Sequence, residues 1–177
     1  MHKAVFLDRD GTITVDHGYT YKIEDLEFFP GVIEGLRLLQ QLGFILIIIT
    51  NQSGIGRKYF TQEECHAFMK NMLKQLDEQG ITICAIYLCP HTPEESCNCR
   101  KPQLGNYRAA AERYDIDFSQ SYVIGDSVND IQAGIALNTK TILVRTGSGM
   151  SYNRADGQPT YTADNLLAAG KWIQHHE

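Results

Sequence analysis

The sequence has no apolar run long enough to cross a membrane. Its longest strongly apolar run covers residues 44–49, whereas a membrane-spanning helix needs roughly 18 residues or more. The first residues lead directly into a predicted strand, without the apolar segment and cleavage site of a secretion signal. We therefore expect a soluble, cytoplasmic protein without a membrane partner.

Basic residues are too few to form an obvious nucleic-acid surface. The 177 residues include 16 lysines and arginines against 21 aspartates and glutamates, which gives a formal net charge of −5. Nucleic-acid-binding domains usually carry a clustered excess of positive charge. The composition therefore argues against a nucleic-acid partner, but it allows a small phosphorylated ligand held by a few local cations.

Cysteines are also few, and their pattern does not favour a disulfide framework. There are 5, an odd number, and three of them lie within residues 89–99. Three thiolates and one imidazole suit tetrahedral Zn²⁺, and a site whose four positions are all filled by protein is structural. We expect this zinc loop to present Arg100 and Lys101, and the alternative is three free thiols beside an unrelated histidine. The predicted zinc ligands are Cys89, His91, Cys97 and Cys99.

Predicted strands and helices alternate along the chain. The run at residues 44–49 has no polar alternation, which is typical of a parallel strand covered by helices on both faces. The sequence therefore predicts an α/β fold with a doubly wound parallel sheet, in a single domain over residues 1–177. Strands are expected at residues 3–8, 44–49, 81–88, 121–125 and 141–144, and helices at roughly 31–42, 61–79, 103–114, 127–137 and 164–175.

Polar side chains follow four of the predicted strands. Asp8 and Asp10 end the first strand, and their spacing directs both carboxylates to the same side if the chain stays extended. Ligands of open parallel sheets bind outside the carboxyl ends of the strands. We therefore expect these side chains to meet at one edge of the sheet. The residues at the other strand ends are Thr50, Arg100, Lys101, Asp126 and Asp130.

This combination fits phosphoryl transfer, which requires mainly positioning and charge neutralisation. An aspartate can attack phosphorus and form an aspartyl-phosphate, and neighbouring carboxylates favour a hard cation such as Mg²⁺. Each residue alone has a plain structural interpretation: Asp8 and Asp10 could form a polar turn, Thr50 could be a strand-end hydroxyl, and Lys101 could be a solvated charge. Their occurrence at successive strand ends favours the chemical interpretation.

Four segments resemble, in order, the four motifs of the haloacid-dehalogenase-like phosphatases. The resemblance spans nearly the whole chain, and it implies an enzyme of the phosphoric monoester hydrolase class with a cap-free α/β fold. The segments are Asp8-x-Asp10-Gly11-Thr12, Thr50, Lys101 and Gly125-Asp126-x-x-x-Asp130.

The same resemblance implies a role for each motif residue. Asp8 would be the nucleophile, and Asp10 the general acid and base. Mg²⁺ would be held by the Asp8 carboxylate, the Asp10 backbone carbonyl and Asp126. The residues implied to bind the transferring phosphoryl group, or to support those that do, are Thr50, Lys101 and Asp130.

The zinc loop narrows the resemblance to a branch that includes the D-glycero-D-manno-heptose 1,7-bisphosphate 7-phosphatases and the histidinol-phosphate phosphatases. Residues 16–19 and 50–57 are more similar to the heptose enzymes, whereas the zinc loop is also similar to the histidinol enzymes. We favour the heptose enzymes, because the first two segments lie where the leaving group is expected. Their second phosphate would need cations such as arginine. The predicted substrate-binding residues are Asp16, Asn51, Ser53, Arg57 and Arg100.

Two alternatives stay open at this point. One is a histidinol-phosphate phosphatase, which would need an acidic group for the substrate's ammonium. The other is a zinc-stabilised binding module without catalysis, which would leave the four strand-end aspartates without a role. The preferred hypothesis predicts a monomer that acts on a small phosphorylated sugar.

Overall fold

Six parallel strands form one sheet in the computed structural model, which describes residues 1–177. The strand order is β3-β2-β1-β4-β5-β6, so the chain runs outward from β1 in one direction and then in the other. This order confirms the predicted doubly wound α/β fold. The strands are β1 (Ala4–Leu7), β2 (Ile45–Asn51), β3 (Ile83–Cys89), β4 (Tyr122–Gly125), β5 (Lys140–Val144) and β6 (Tyr161–Ala163).

Helices cover both faces of the sheet. Successive strand side chains point to opposite faces, and both sets are apolar and buried. In β1, Val5 and Leu7 belong to one buried cluster, whereas Ala4 and Phe6 belong to another. The first cluster includes side chains from the helices at Val32–Gln41, Gln62–Glu78 and Leu166–His176, and the second includes side chains from those at Gly105–Tyr114 and Val128–Ala136. The helices are α1 (Val32–Gln41), α2 (Ser53–Gly56), α3 (Gln62–Glu78), α4 (Gly105–Tyr114), α5 (Val128–Ala136) and α6 (Leu166–His176).

The predicted elements all occur, with ends displaced by at most two residues. The predicted start of α3 is confirmed in detail, since the Thr61 hydroxyl accepts a hydrogen bond from the Glu64 N–H and the Glu64 carboxylate accepts one from the Thr61 N–H. The sequence pattern did not predict β6 and α2. These elements have 3 and 4 residues, which is too short for a periodic pattern to be recognised.

The connections at the carboxyl ends of the strands are the ones that build a cleft. A loop with one 3₁₀ turn at Ile23–Asp25 joins β1 to α1, and the zinc loop follows β3. Two further 3₁₀ turns, Gly147–Ser151 and Arg154–Asp156, follow β5. None of the helices is both long enough and apolar enough to span a membrane.

Candidate active site

A polar cleft of about 520 Å³ lies beyond the carboxyl ends of the central strands. Only one of its 16 lining residues is hydrophobic, so it suits a hydrophilic ligand better than an apolar one. The loops after β1, β2, β3, β4 and β5 all contribute to its wall. The predicted site residues that line it are Asp8, Asp10, Asp16, Asn51, Ser53, Arg100, Lys101 and Asp126.

Three carboxylates and one ammonium group lie at the floor of this cleft or directly beneath it. Oxygen atoms of Asp8, Asp126 and Asp130 all lie within 4.8 Å of one another. Lys101 Nζ lies 2.7 Å from Asp8 Oδ1 and 2.7 Å from Asp130 Oδ1. The lysine side chain is only 3% exposed, so these contacts are made largely without water. One positive charge therefore faces three carboxylates, and the group has an excess of negative charge.

Burial makes that excess of charge costly, as the pKa values of the group indicate. Burial raises the pKa of Asp8 well above its usual range, although Lys101 opposes this rise. Burial also raises the pKa of Asp126 to about 6, against the lowering effect of the Ser148 N–H. Burial disfavours the charged form of Lys101, but Asp130 and Asp8 outweigh it and raise the lysine pKa. A further cation would relieve the repulsion among the carboxylates.

The backbone around Asp126 leaves no space for additional side-chain atoms. A Cβ atom at Gly11 would overlap the Asp126 carboxylate, and one at Gly147 would overlap Asp126 Oδ2. Both glycines have positive φ, +82° and +50°, which side-chain-bearing residues rarely adopt. The Ser148 N–H donates to Asp126 Oδ2 at 2.7 Å. Asp126 is thus fixed beside Asp8, and the pair of hard oxygen ligands fits Mg²⁺.

The Asp10 carboxylate has different neighbours from the other aspartates. It does not belong to the group formed by Asp8, Asp126 and Asp130. Instead it accepts hydrogen bonds from Arg9 Nε at 2.9 Å, from Arg9 Nη2 at 2.7 Å and from Gln52 Nε2 at 2.7 Å. This arrangement is compatible with the predicted division of roles, in which the Asp10 side chain is kept for proton transfer and its backbone carbonyl for the metal.

The predicted zinc ligands converge after β3. Their ligand atoms lie within 4.8 Å of one another, and Cys89 Sγ is 3.8 Å from Cys97 Sγ. Tetrahedral coordination with Zn–S bonds of about 2.3 Å places two sulfur atoms roughly 3.8 Å apart. His91 Nδ1 lies 3.5 Å from Cys89 Sγ and 3.2 Å from Cys99 Sγ. Cys89 Sγ and Cys99 Sγ are closer, at 3.1 Å, so the identity of the four donors and their convergence fit Zn²⁺, whereas this one sulfur pair is shorter than the coordinated distance.

The thiols of this group differ in their acidity. Burial raises the pKa of Cys89. At Cys97 burial acts in the same direction, but backbone N–H donors of Arg100 and Cys99 outweigh it and lower the pKa to about 7. A thiol with a pKa near neutrality provides the thiolate that a metal requires.

Comparison with known proteins identifies the family. A family model described as HAD-hydrolase-like matches residues 98–169. The chain is 40% identical over 174 residues to the D-glycero-beta-D-manno-heptose-1,7-bisphosphate 7-phosphatase of Haemophilus influenzae, covering 94% of each chain. It is 44% identical over 152 residues to the enzyme of the same name from Escherichia coli K12, covering 81% of this chain and 80% of the relative. The chain belongs to the D-glycero-beta-D-manno-heptose-1,7-bisphosphate 7-phosphatase family.

Solved structures agree with this membership. The D,D-heptose 1,7-bisphosphate phosphatase of B. bronchiseptica, in complex with magnesium and phosphate, superposes with a TM-score of 0.91 at 32% identity and covers 99% of each chain. A D,D-heptose 1,7-bisphosphate phosphatase from Burkholderia thailandensis gives a TM-score of 0.74 at 30% identity, covering 97% of this chain and 98% of its own. The predicted haloacid-dehalogenase-like fold and the predicted enzyme class are confirmed, whereas a non-catalytic zinc module is not supported.

Apart from the zinc ligands, three predicted site residues of this family member do not line the cleft. Thr50 is buried, and its hydroxyl accepts a hydrogen bond from Gln52 Nε2 at 2.8 Å. Asp130 lies beneath Lys101 and also accepts from the Ser127 hydroxyl at 2.5 Å. Arg57 Nη2 lies 3.7 Å from Glu94 Oε1 in the zinc loop. The Gly56 N–H donates to the carbonyl of Pro90 and holds the end of α2 against the zinc loop. Arg57, the next residue, therefore faces that loop.

Several residues of the site were not predicted. Gln52 and Ser148 line the cleft, and Arg9 is buried beside it. Gln52 is separated from the predicted strand at residues 44–49 by only two residues. Its position near a strand end could therefore have marked it as a candidate site residue. Ser148 lies in a loop of small residues that offers no such signal, since its contact with Asp126 is made by the backbone.

Proposed function

We propose that this chain is a Mg²⁺-dependent phosphatase that removes the 7-phosphate of D-glycero-beta-D-manno-heptose 1,7-bisphosphate. The observation that carries the proposal is the buried Asp8–Lys101–Asp130 contact beside Asp126, at the floor of an open polar cleft. The names of its relatives support the substrate and its anomer. The magnesium and phosphate bound to its structural relative support the metal.

The proposed reaction begins with Asp8. One of its carboxylate oxygens attacks phosphorus, and the bond between phosphorus and the sugar oxygen breaks. Asp10 donates a proton to the departing oxygen, which leaves as a hydroxyl. Lys101 holds Asp8 in place and offers positive charge to the phosphoryl oxygens. When bound at Asp8, Asp126 and the Asp10 carbonyl, Mg²⁺ supplies further charge neutralisation.

In the second half of the reaction the aspartyl-phosphate is hydrolysed. The Asp10 carboxylate, now deprotonated, takes a proton from water as the water oxygen attacks phosphorus. The bond between phosphorus and the Asp8 oxygen breaks, so that inorganic phosphate is released and the Asp8 carboxylate is restored. Asp10 thereby regains the proton that it gave to the sugar oxygen, and the cycle closes without another reactant.

The remainder of the cleft provides groups for the sugar and its 1-phosphate. Arg100 lines the cleft and forms no ion pair with a carboxylate. Its Nη1 donates instead to the carbonyl of His91. We assign the 1-phosphate to Arg100, together with Ser53 and Asn51. Asp16 shapes the adjoining loop by accepting from the Gly18 N–H at 2.9 Å, and we assign it to the sugar hydroxyls.

The zinc group has a structural role in this proposal. Its four protein ligands would leave no open position for substrate, which is typical of structural zinc. Cys99 is followed directly by Arg100 and Lys101. Ordering the loop therefore orders the two cations that contact substrate and Asp8.

The proposal is tested by incubating the chain with the bisphosphate and Mg²⁺ and following the products by phosphorus NMR. We expect inorganic phosphate and heptose 1-phosphate, and no product with the 7-phosphate retained. Asp8→Asn should abolish turnover, whereas Asp77→Asn, an exposed aspartate on α3, should leave it unchanged. Turnover by Asp8→Asn would contradict the nucleophile, and release of the 1-phosphate would contradict the assigned orientation of the substrate.

A further inference from the structure

Arg9 separates the two aspartates in the sequence, yet its side chain is not part of the cleft. The residue is completely buried and does not line the cleft. Its guanidinium packs over the ring of Phe68 from α3, with Cζ 4.7 Å from the ring centroid. The side chain therefore extends from the end of β1 into the protein interior, behind Asp10.

The guanidinium group holds the Asp10 carboxylate from behind through two parallel hydrogen bonds. Arg9 Nε donates to Asp10 Oδ1 at 2.9 Å, and Arg9 Nη2 donates to Asp10 Oδ2 at 2.7 Å. Such a forked contact fixes the plane of a carboxylate as well as its position. Nη2 also donates to the carbonyl of Thr20 at 2.8 Å, which ties the fork to the loop after β1.

Gln52 completes this contact from the end of β2. Its Nε2 donates to Asp10 Oδ2 at 2.7 Å, and its Oε1 accepts from Arg9 Nη2 at 3.2 Å. Nε2 also lies 2.8 Å from the hydroxyl of Thr50. Three donors from two buried side chains therefore converge on the Asp10 carboxylate. Neither of these side chains forms a hydrogen bond with Asp8 or Lys101.

Fold stability does not account for an arginine at this position. A fully buried guanidinium has lost its water, and here its Nη1 has no hydrogen-bond partner at all. Buried ion pairs add little net stability, and an apolar side chain of similar volume often packs as well or better. The buried arginine is better explained by its effect on the position of the Asp10 carboxylate.

We propose that Arg9, together with Gln52, is a positioning residue that fixes the Asp10 carboxylate for proton transfer. The inference rests on the proposed function, in which Asp10 protonates the departing sugar oxygen. A general acid must lie within hydrogen-bond distance of the atom that it protonates. Without the donors of Arg9 and Gln52, the carboxylate keeps only the Thr14 hydroxyl, 3.4 Å from Asp10 Oδ1, and it can rotate out of that position or toward the neighbouring metal site.

The predicted defect is specific to steps that need a proton. A sugar alkoxide is a poor leaving group and requires protonation, whereas p-nitrophenolate leaves without it. The value of kcat/KM reports the steps up to formation of the aspartyl-phosphate. It should therefore fall for the sugar phosphate and be nearly unchanged for p-nitrophenyl phosphate when Asp10 is misplaced.

The experiment compares native protein, Arg9→Met, Arg9→Lys and Gln52→Met on heptose 1,7-bisphosphate and on p-nitrophenyl phosphate, with Mg²⁺. For Arg9→Met we expect kcat/KM to fall roughly 10²-fold on the bisphosphate and by less than about threefold on the aryl ester. Arg9→Lys should retain more activity than Arg9→Met, but less than native protein, because lysine cannot form the fork. Gln52→Met should show the same selective loss to a smaller degree.

A second readout comes from the hydrolysis step, which also needs Asp10. With p-nitrophenyl phosphate, Arg9→Met should release a rapid burst of nitrophenolate, close to one equivalent per site, followed by slow turnover. The matched control is Arg37→Met, an arginine of α1 that donates to the carbonyl of Gln79 at 3.0 Å far from the cleft. We expect that control to behave like native protein on both substrates.

The outcomes separate this inference from the function on which it rests. Equal loss on both substrates in Arg9→Met, Arg9→Lys and Gln52→Met would indicate a merely structural role and overturn the inference. Unchanged activity of all three variants would overturn it as well. If native protein releases no phosphate from either substrate, the proposed function itself fails, and the inference falls with it.

Discussion

Replacing Lys101 by methionine removes the one cation at the floor of the cleft while keeping a side chain of similar length. The lysine is buried, and its Nζ lies 2.7 Å from an oxygen of Asp8 and 2.7 Å from an oxygen of Asp130. The substitution leaves three carboxylates within 4.8 Å of one another without a protein counter-charge. We expect a loss of both stability and activity.

The magnitude follows from these distances. At 2.7 Å and an effective dielectric constant of about 20, each attraction is about 6 kcal/mol before desolvation is counted. Removing one partner of a buried ion pair typically destabilises a protein by roughly 3–5 kcal/mol. We expect the lower end of that range, because Asp8, whose pKa is already raised by burial, can bind a proton. For a chain of this size, about 3 kcal/mol lowers Tm by roughly 6–12 °C.

The effect on activity has two sources that act in the same direction. A protonated Asp8 is a poor nucleophile, and the phosphoryl oxygens lose a cation. Loss of one such stabilising group usually lowers kcat by about 10²- to 10³-fold, and we expect at least that. The assay combines kcat on the bisphosphate at saturating Mg²⁺ with thermal unfolding of the protein without Mg²⁺ but with zinc retained.

Lys74→Met is the matched control. Lys74 lies on the surface of α3, where its Nζ is 3.8 Å from Glu78 Oε1 and the lysine side chain is 75% exposed. We expect Lys74→Met to change neither kcat nor Tm appreciably. A Lys101→Met variant with the Tm and kcat of the native protein would refute the electrostatic account of the site.

Three further predictions concern the metals and the second phosphate. Gly11→Ala should lower Mg²⁺-dependent kcat more than tenfold, measured by Mg²⁺ titration, because the new Cβ would overlap the Asp126 carboxylate; an unchanged titration would contradict the close approach. Cys97→Ser should reduce bound zinc, measured by elemental analysis, whereas Cys84→Ser, outside the zinc group, should not; equal zinc contents would exclude Cys97 as a ligand. Arg100→Ala should raise KM for the bisphosphate about tenfold, at the scale of one charged hydrogen bond, but leave KM for heptose 7-phosphate unchanged; a parallel rise for both would contradict the assignment of the 1-phosphate.

The parts of the fold that the sequence predicts are those with long or unmistakable patterns. The uninterrupted apolar run of β2 and the helical spacing of α1 and α3 require little knowledge of the rest of the chain. β6 has 3 residues, so its pairing with β5 depends on where the chain returns. Such an element is specified by tertiary contacts rather than by a local pattern.

The site residues also divide into those that a local pattern predicts and those that depend on tertiary contacts. The convergence of Asp8 with Asp126, and that of the four predicted zinc ligands, could be predicted because topology brings strand ends together and ligand spacing is local. The direction of a long side chain is not fixed in this way. Arg57 faces Glu94, and Arg9 turns inward to Asp10, although sequence position alone allows both to reach the cleft.

The hydrogen bonds around Asp10 were the part of the site that was hardest to predict from the sequence. Arg9 and Gln52 are 43 positions apart, and their contact depends on the side-by-side pairing of β1 with β2. A glutamine after a strand and an arginine between two aspartates have no local signature that links them. Only the structure brings their donors to the same carboxylate.

The action of the cleft on a heptose bisphosphate is tested most directly by comparing kcat/KM on three substrates with Mg²⁺ present. The substrates are D-glycero-beta-D-manno-heptose 1,7-bisphosphate, fructose 1,6-bisphosphate and histidinol phosphate. We expect the heptose bisphosphate to exceed each of the others by about 10²-fold or more, the scale of discrimination that several matched polar contacts provide. A preference for histidinol phosphate would contradict the proposed substrate while leaving the roles of Asp8 and Asp10 intact.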